Sequence, residues 1–284
     1  MKVEKNLVLE KEGKKPILLD VHYQKTNHLK PTVIFCHGFK GYKDWGAWHL
    51  VAEAFSKAGF FFVKFNFSHN GGTKEQPIDF PDLDAFSENN YTKELDDLDR
   101  VIEFITTSNS FSEEINKEEI SLIGHSRGGG IVLIKSEENP IIKNVITWAG
   151  VSDYKARFME QSETFKEWKK SGVTYIVNGR TNQNMPLGFQ FYQDFKENES
   201  RLTIHRAVKE LQIPYLIIHG ENDLTVTLKE AQLLKQWSTK SSFKVIENGD
   251  HVFGAMHPWQ QKELPKDLET ATKDTIKFLK ESYD

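Results

Sequence analysis

The sequence predicts an α/β fold, a mostly parallel sheet flanked by helices. Short apolar runs such as Thr32–Cys36, Ile120–Ile123, Asn144–Trp148 and Tyr215–His219 recur along the chain, each bounded by turn residues. Between them lie stretches of helical period; in Tyr91–Thr106 the apolar positions are Leu95, Leu98, Val101, Ile102 and Ile105. Several of the runs read as fully buried strands, as a sheet covered on both faces requires. Runs of this kind alternating with helices indicate βα units.

The elements follow in order. Leu7–Leu9 and Ile17–His22 read as two opening strands, paired antiparallel. Pro31 introduces Thr32–Cys36, which stops at His37-Gly38. A helix over His49–Ala58 ends at Gly59. Phe60–Phe67 is the next strand, and the polar stretch from Ser68 to Asn90 reads as a long loop. After the helix Tyr91–Thr106 come the strand Ile120–Ile123, a helix opening over Gly128–Leu133, and the strand Asn144–Trp148. Tyr215–His219 and Phe243–Ile246 are the last two strands, and Thr270–Glu281 is a closing helix.

The segment from about Ser152 to Thr203 breaks this rhythm and is longer than an ordinary connection. It holds a helical piece around Phe158–Lys170. Val173–Val177 and Met185–Leu187 then flank the hairpin turn Asn178-Gly179-Arg180-Thr181-Asn182. It reads as a small cap, about 152–203, inserted into a single domain of residues 1–284.

Composition narrows the function. The net charge is -4 and the lysines are interspersed with glutamates, which points away from nucleic acid and anionic membranes as partners. A single cysteine, Cys36, leaves no internal disulfide and no cysteine-built zinc site. No run approaches the ~18 to 20 apolar residues of a membrane helix, and Met1–Asn6 carries no signal core. The expectation is a soluble cytoplasmic protein with no metal or organic cofactor. A homodimer is left open.

The chemistry centres on Gly124-His125-Ser126-Arg127-Gly128, which fits the G-x-S-x-G nucleophile elbow between an apolar strand and a helix. A serine on so sharp a turn projects its hydroxyl out of the sheet, and the flanking glycines let strand and helix approach. Serine needs a base, and the base needs an orienting acid. His219-Gly220-Glu221-Asn222-Asp223 follows one strand and Gly249-Asp250-His251 the next, both at strand C-terminal ends where open α/β sheets place their sites. Ser126 as nucleophile, His251 as base and Asp223 as acid is the favoured set. Glu221 and Asp153 are alternative acids and His257 an alternative base; Asp250 adjoins His251 too closely to face its ring. His125 is expected to pack inside the elbow. The oxyanion donors are assigned to the backbone N–H groups of Arg127 and of Phe39, in the His37-Gly38-Phe39 loop.

Across nearly the whole chain these motifs resemble the α/β-hydrolase superfamily, in the order serine, acid, histidine. The His-Gly-Phe-x-Gly loop closed by Gly41 and the compact cap are similar to bacterial cinnamoyl or feruloyl esterases and dienelactone-hydrolase-like esterases. Arg127 departs from those esterases, which often carry glutamine after the nucleophile. The resemblance implies an eight-stranded sheet and a serine carboxylesterase acting on small-molecule esters through an acyl-enzyme, with hydroxycinnamate-type esters one substrate class. Phe39, Trp148, Phe189, Phe191 and Tyr192 are the candidate substrate-binding residues. A thioesterase, a small peptidase or amidase, and a non-catalytic binding protein on the same scaffold are the rival readings.

Overall fold

A computed structural model describes residues 1–283. Eight strands form one sheet: β1 (Lys2–Leu9), β2 (Ile17–Tyr23), β3 (Lys30–Cys36), β4 (Phe61–Asn66), β5 (Ile115–His125), β6 (Ile142–Trp148), β9 (Tyr215–Gly220) and β10 (Ser241–Ile246). Their spatial order is β1-β2-β4-β3-β5-β6-β9-β10. β1–β2 and β2–β4 pair antiparallel; every other pairing is parallel. This is the α/β-hydrolase fold, an eight-stranded, mostly parallel sheet with helices on both faces.

The continuous apolar runs have a simple cause. Successive side chains leave a strand on opposite faces, and here both faces are covered. Ile34 and Cys36 of β3, Val63 and Phe65 of β4, and Ile217 of β9 enter one core. Val33, Phe35, Phe62 and Ile218 enter the other. α3 (Tyr91–Thr107), α4 (Arg127–Glu138), α7 (Ile204–Glu210) and α8 (Leu228–Trp237) pack into the first. α1 (Trp48–Lys57) and α9 (Lys266–Tyr283) close the second.

Several boundaries differ from the sequence reading. β1 begins at Lys2 rather than Leu7, because an edge strand half open to solvent needs no apolar run; Lys2, Val3 and Glu4 pair with Tyr23, His22 and Val21. β5 begins at Ile115, where pairing to Lys30 extends the strand across the polar residues Asn116–Glu119. The loop 68–90 contains α2 (Leu83–Ser87), whose first turn is capped by Asp82 accepting from the Ala85 N–H.

Between β6 and α7 the chain builds α5 (Glu163–Ser171), the antiparallel hairpin β7 (Val173–Asn178) and β8 (Gln183–Gly188), and α6 (Gln190–Glu197). The helix expected over 158–170 starts later, at Glu163, because Ser162 caps it by accepting the Phe165 N–H. The aromatic side chains of this segment stack on one another: Phe158 lies 4.9 Å from Phe195 and 5.5 Å from Phe191, ring centre to ring centre. No helix among the described residues is long and apolar enough to cross a membrane.

Candidate active site

β5 runs into α4 at Ser126, whose backbone sits at φ 56°, ψ -121°. A side-chain-bearing residue holds that conformation only where its surroundings fix it. Here the Ser126 N–H donates to the Trp148 carbonyl at 2.9 Å, and its carbonyl accepts from the N–H groups of Gly129 at 3.0 Å and Val151 at 3.2 Å. Gly124 allows the turn: a Cβ there would lie 2.2 Å from the Gly128 carbonyl oxygen. Strand and helix therefore meet backbone to backbone, and the serine hydroxyl is left at the sheet's C-terminal edge.

The turns after β9 and β10 leave adjacent parallel strands, with Gly220 opposite Ile246. They are tied together by the Asn222 N–H donating to the Gly249 carbonyl at 2.9 Å. This brings His251 between Ser126 and Asp223. The Ser126 hydroxyl lies 3.0 Å from His251 Nε2, and His251 Nδ1 lies 2.8 Å from Asp223 Oδ2. With Nδ1 protonated, Nε2 is free to accept the serine proton. The other Asp223 oxygen accepts from the N–H groups of Thr225 and Val226, each at 2.8 Å. Burial alone would raise the Asp223 pKa. Hydrogen bonds from His219, His251 and Val226, with the charge of His251, reverse this and hold the carboxyl well below the usual range. His219 Nε2 is 2.7 Å from the Val226 carbonyl and 3.4 Å from Asp223, so the carbonyl takes the better hydrogen bond.

His125 packs behind His251, with the two ring centres 4.9 Å apart. Its Nε2 donates to the His251 carbonyl at 2.9 Å. Burial, and then the nearby charge of His251, push its pKa down to about 3, so it remains a neutral prop.

The loop after β3 lies against Ser126; a Cβ on Gly38 would sit 2.8 Å from the Ser126 Cβ. Buried His37 donates from Nδ1 to the Gly38 carbonyl at 2.9 Å and accepts the Phe67 N–H on Nε2 at 3.3 Å. Burial holds its pKa at about 4, which keeps that tautomer neutral. The Gly41 N–H also donates to the Gly38 carbonyl, at 3.0 Å. In a trans peptide the Phe39 N–H points opposite to that doubly held carbonyl. Among the described residues, neither the Phe39 nor the Arg127 N–H has a hydrogen-bond acceptor.

Two cavities meet at Ser126. The first, about 240 Å³, is walled by Phe39, Tyr91, Tyr154, Trp168, Leu187 and Phe191, with Arg127 at its side. The Arg127 guanidinium lies 4.0 Å above the Phe39 ring and 5.0 Å from that of Phe191. Its Nη1 is 3.3 Å from buried Glu94. Burial pushes the Glu94 carboxyl up, against the pull of Arg127 and of the Asn89 amide. The second cavity, about 210 Å³, lies on the His251 side and is walled by Lys40, Trp45, Trp48, Asn178 and Val252.

Of the residues proposed from sequence to touch substrate, Phe39 and Phe191 line the first cavity. Phe189 and Tyr192 stand behind it, packed edge-to-face with Trp168 and Phe165 respectively. The Trp148 assignment needs correction. Its indole is fully buried in the core beneath the sheet, packed on Phe35 and Phe253, and its Nε1–H donates to Thr275. The side chain before the post-β6 turn faces α9, not Ser126, because strand alternation decides which face it leaves from. Tyr91, Tyr154 and Leu187 were missed; each lies in an element reached only through tertiary packing. The rival acids and base are engaged elsewhere: Glu221 accepts the Asn248 N–H, Asp153 the Lys155 N–H, and His257 Nδ1 the Gly46 N–H. Asp250 accepts the N–H groups of Val252 and Gly254, turning away from the ring beside it.

Comparison with known proteins agrees with this architecture. A family model described as the alpha/beta hydrolase fold matches residues 31–162. An uncharacterized peptidase of Bacillus subtilis, YtmA, is 27% identical over 134 residues, so the match spans about half of each protein, 47% of this chain and 46% of that one. A bifunctional esterase/perhydrolase of Acinetobacter calcoaceticus is 22% identical across 84% of this chain and 95% of its own. Among solved structures, Est1E from Butyrivibrio proteoclasticus superposes with a TM-score of 0.74 at 15% identity, covering 99% of both chains.

Proposed function

We propose that this protein is a serine carboxylic-ester hydrolase, with Ser126 as nucleophile, His251 as base and Asp223 as orienting acid. The observation that carries the reading is the unbroken contact chain from the Ser126 hydroxyl through the His251 ring to a buried, ionised Asp223. Ser126 Oγ attacks the ester carbonyl while its proton passes to His251 Nε2. Asp223 stabilises the imidazolium and keeps its Nδ1–H directed. The tetrahedral oxygen takes hydrogen bonds from the Phe39 and Arg127 N–H groups, with the N-terminus of α4 adding to the field. His251 then gives its proton to the departing alcohol. Water, deprotonated by the same ring, clears the acyl-enzyme.

The first cavity suits the acyl group. Its walls are aromatic and aliphatic, and its two cations are engaged, Arg127 with Glu94 and Arg157 with Glu230. An apolar or aromatic acyl group of modest size fits a space of about 240 Å³. Hydroxycinnamate-type acids belong to that class, and ferulic acid has been seen bound to Est1E. Residues 152–203 act in this reading as a cap within a single domain, since Phe158, Trp168, Leu187 and Phe191 roof the acyl cavity. The names of the esterase relatives support the same reaction class. A fluorophosphonate probe tests the assignment: it should label Ser126 in the wild type and leave a folded Ser126→Ala variant unlabelled. Labelling at another residue, or none on folded wild type, removes the proposal.

A further inference from the structure

The two cavities at Ser126 differ in one respect that fixes which half of an ester each would hold. This inference rests on the hydrolase reading above. His251 must hand its proton to the leaving oxygen, so the leaving group has to sit on the side of the nucleophile where that ring is exposed. His251 lines the second cavity and not the first. The acyl group therefore turns toward Phe39 and Phe191, and the alcohol toward Lys40, Trp45 and Asn178.

The polar side chains on the alcohol side are donors. Lys40 is half-buried, and among the described residues its ammonium makes no ion pair or hydrogen bond; it lies 5.9 Å from the centre of the Phe39 ring. Burial lowers its pKa. Asn178 is buried, and its Oδ1 already accepts the Arg180 N–H, which leaves the amide NH₂ without a protein acceptor. Among the described residues the indole N–H groups that donate to protein are those of Trp148, Trp168 and Trp259, not those of Trp45 and Trp48. Among the described residues no carboxylate lines this cavity. The carboxylates nearby are spoken for: Asp44 is bound by Lys43 and Lys64, and Asp79 by Arg180. A cationic, donor-rich wall without its own counter-charge is complementary to negative charge on the ligand. The Lys40 backbone lies in the left-handed region at φ 55°, one residue after the Phe39 donor.

We propose that the second cavity is the leaving-group site, and that it selects esters whose alcohol or phenol carries an anionic group, with Lys40 as the specificity-determining residue. Such a partner fits a small acidic alcohol better than a long neutral one, since the cavity holds only about 210 Å³.

The test compares three acyl esters as substrates. 4-Acetoxybenzoate carries its charge on the leaving group, 4-nitrophenyl acetate carries none, and 4-nitrophenyl hemisuccinate carries it on the acyl side. The readout is the ratio of kcat/KM for each charged ester to that for neutral 4-nitrophenyl acetate, which cancels general damage. Lys40→Met should lower the 4-acetoxybenzoate ratio by about fivefold to tenfold, the size of one partly buried charge contact. Lys40→Arg should restore most of it, and rising salt should erode the wild-type preference. The hemisuccinate ratio should not follow Lys40. An unchanged 4-acetoxybenzoate ratio, or an equal fall for the hemisuccinate, overturns the assignment while Ser126-dependent turnover keeps the hydrolase reading. Hydrolysis that persists in Ser126→Ala overturns both.

Discussion

Two groups of ionisable side chains treat charge in opposite ways. In the first, Asp20 of β2 is bonded to Lys43 at 2.8 Å and to Lys64 of β4 at 2.6 Å, and Asp44 joins the same two lysines. Burial would raise the Asp44 pKa, but the two ammonium groups outweigh it and hold the carboxylate ionised. Two positive and two negative charges cancel in place, and no proton has anywhere to go. In the second, Ser126, His251 and Asp223 form a line that ends in a single carboxylate. Among the described residues no lysine or arginine is paired with that carboxylate, and the Ser126 hydroxyl lies 3.0 Å from the nearer ring nitrogen. The difference teaches that a buried carboxylate holds a framework when its partners are fixed cations, and can support proton transfer when its partner is an imidazole.

Breaking each group should therefore damage a different property. The largest effect is on turnover. Ser126→Ala should lower kcat on an activated ester by about 10⁴ to 10⁶-fold with the unfolding midpoint nearly unchanged. Steady-state kinetics beside chemical denaturation checks both halves. Asp223→Asn comes next. The amide keeps the shape but no longer fixes the tautomer of His251, and kcat should fall by about 10³ to 10⁴-fold. A loss under tenfold would mean that Asp223 does not orient the base.

Lys64→Met belongs to the other group. It strands part of the negative charge of Asp20 and Asp44 in a buried site, and should cost about 3 to 5 kcal/mol of stability in urea or guanidinium titrations. Adding Asp20→Leu should return part of that loss, since fewer uncompensated charges remain. A further drop on combining them would show that the ions are not coupled.

The smallest expected effect is on acid sensitivity. The folded Asp223 pKa lies below its unfolded value of about 4. Its contribution is complete above that value and is lost as pH falls toward the folded pKa. The stability advantage of wild type over Asp223→Asn should therefore shrink below about pH 4. An advantage that grows on acidification would contradict the ionised carboxylate.

Legibility from sequence followed the range of the interactions. The strand ends that carry the site were readable because Gly124–Gly128, His219–Asp223 and Asp250–His251 each join an apolar run to a turn, a local signal. β1 was only partly readable, since Lys2, Val3 and Glu4 are strand by pairing rather than by pattern. Trp148 was misassigned because the face of a strand residue next to a sharp turn depends on alternation through the whole strand. Tyr91 and Leu187 were invisible for another reason. Nothing in their neighbourhood along the chain says that α3 and the β7–β8 hairpin converge on Ser126. Lys40 and Lys43 are neighbouring cations along the chain; packing separates them, Lys43 buried against Asp20 and Asp44 and Lys40 on a cavity wall without an ion pair among the described residues.

The central claim is that the Ser126 hydroxyl becomes the acyl carrier with His251 as its base. Rapid quench of the protein with 4-nitrophenyl acetate, followed by peptide mass analysis, reads this directly. The account predicts one acetyl group on the peptide containing Ser126, formed in a burst by wild type and suppressed in His251→Ala. Acetyl on another residue at the burst rate, or a burst that His251→Ala leaves unchanged, would contradict it.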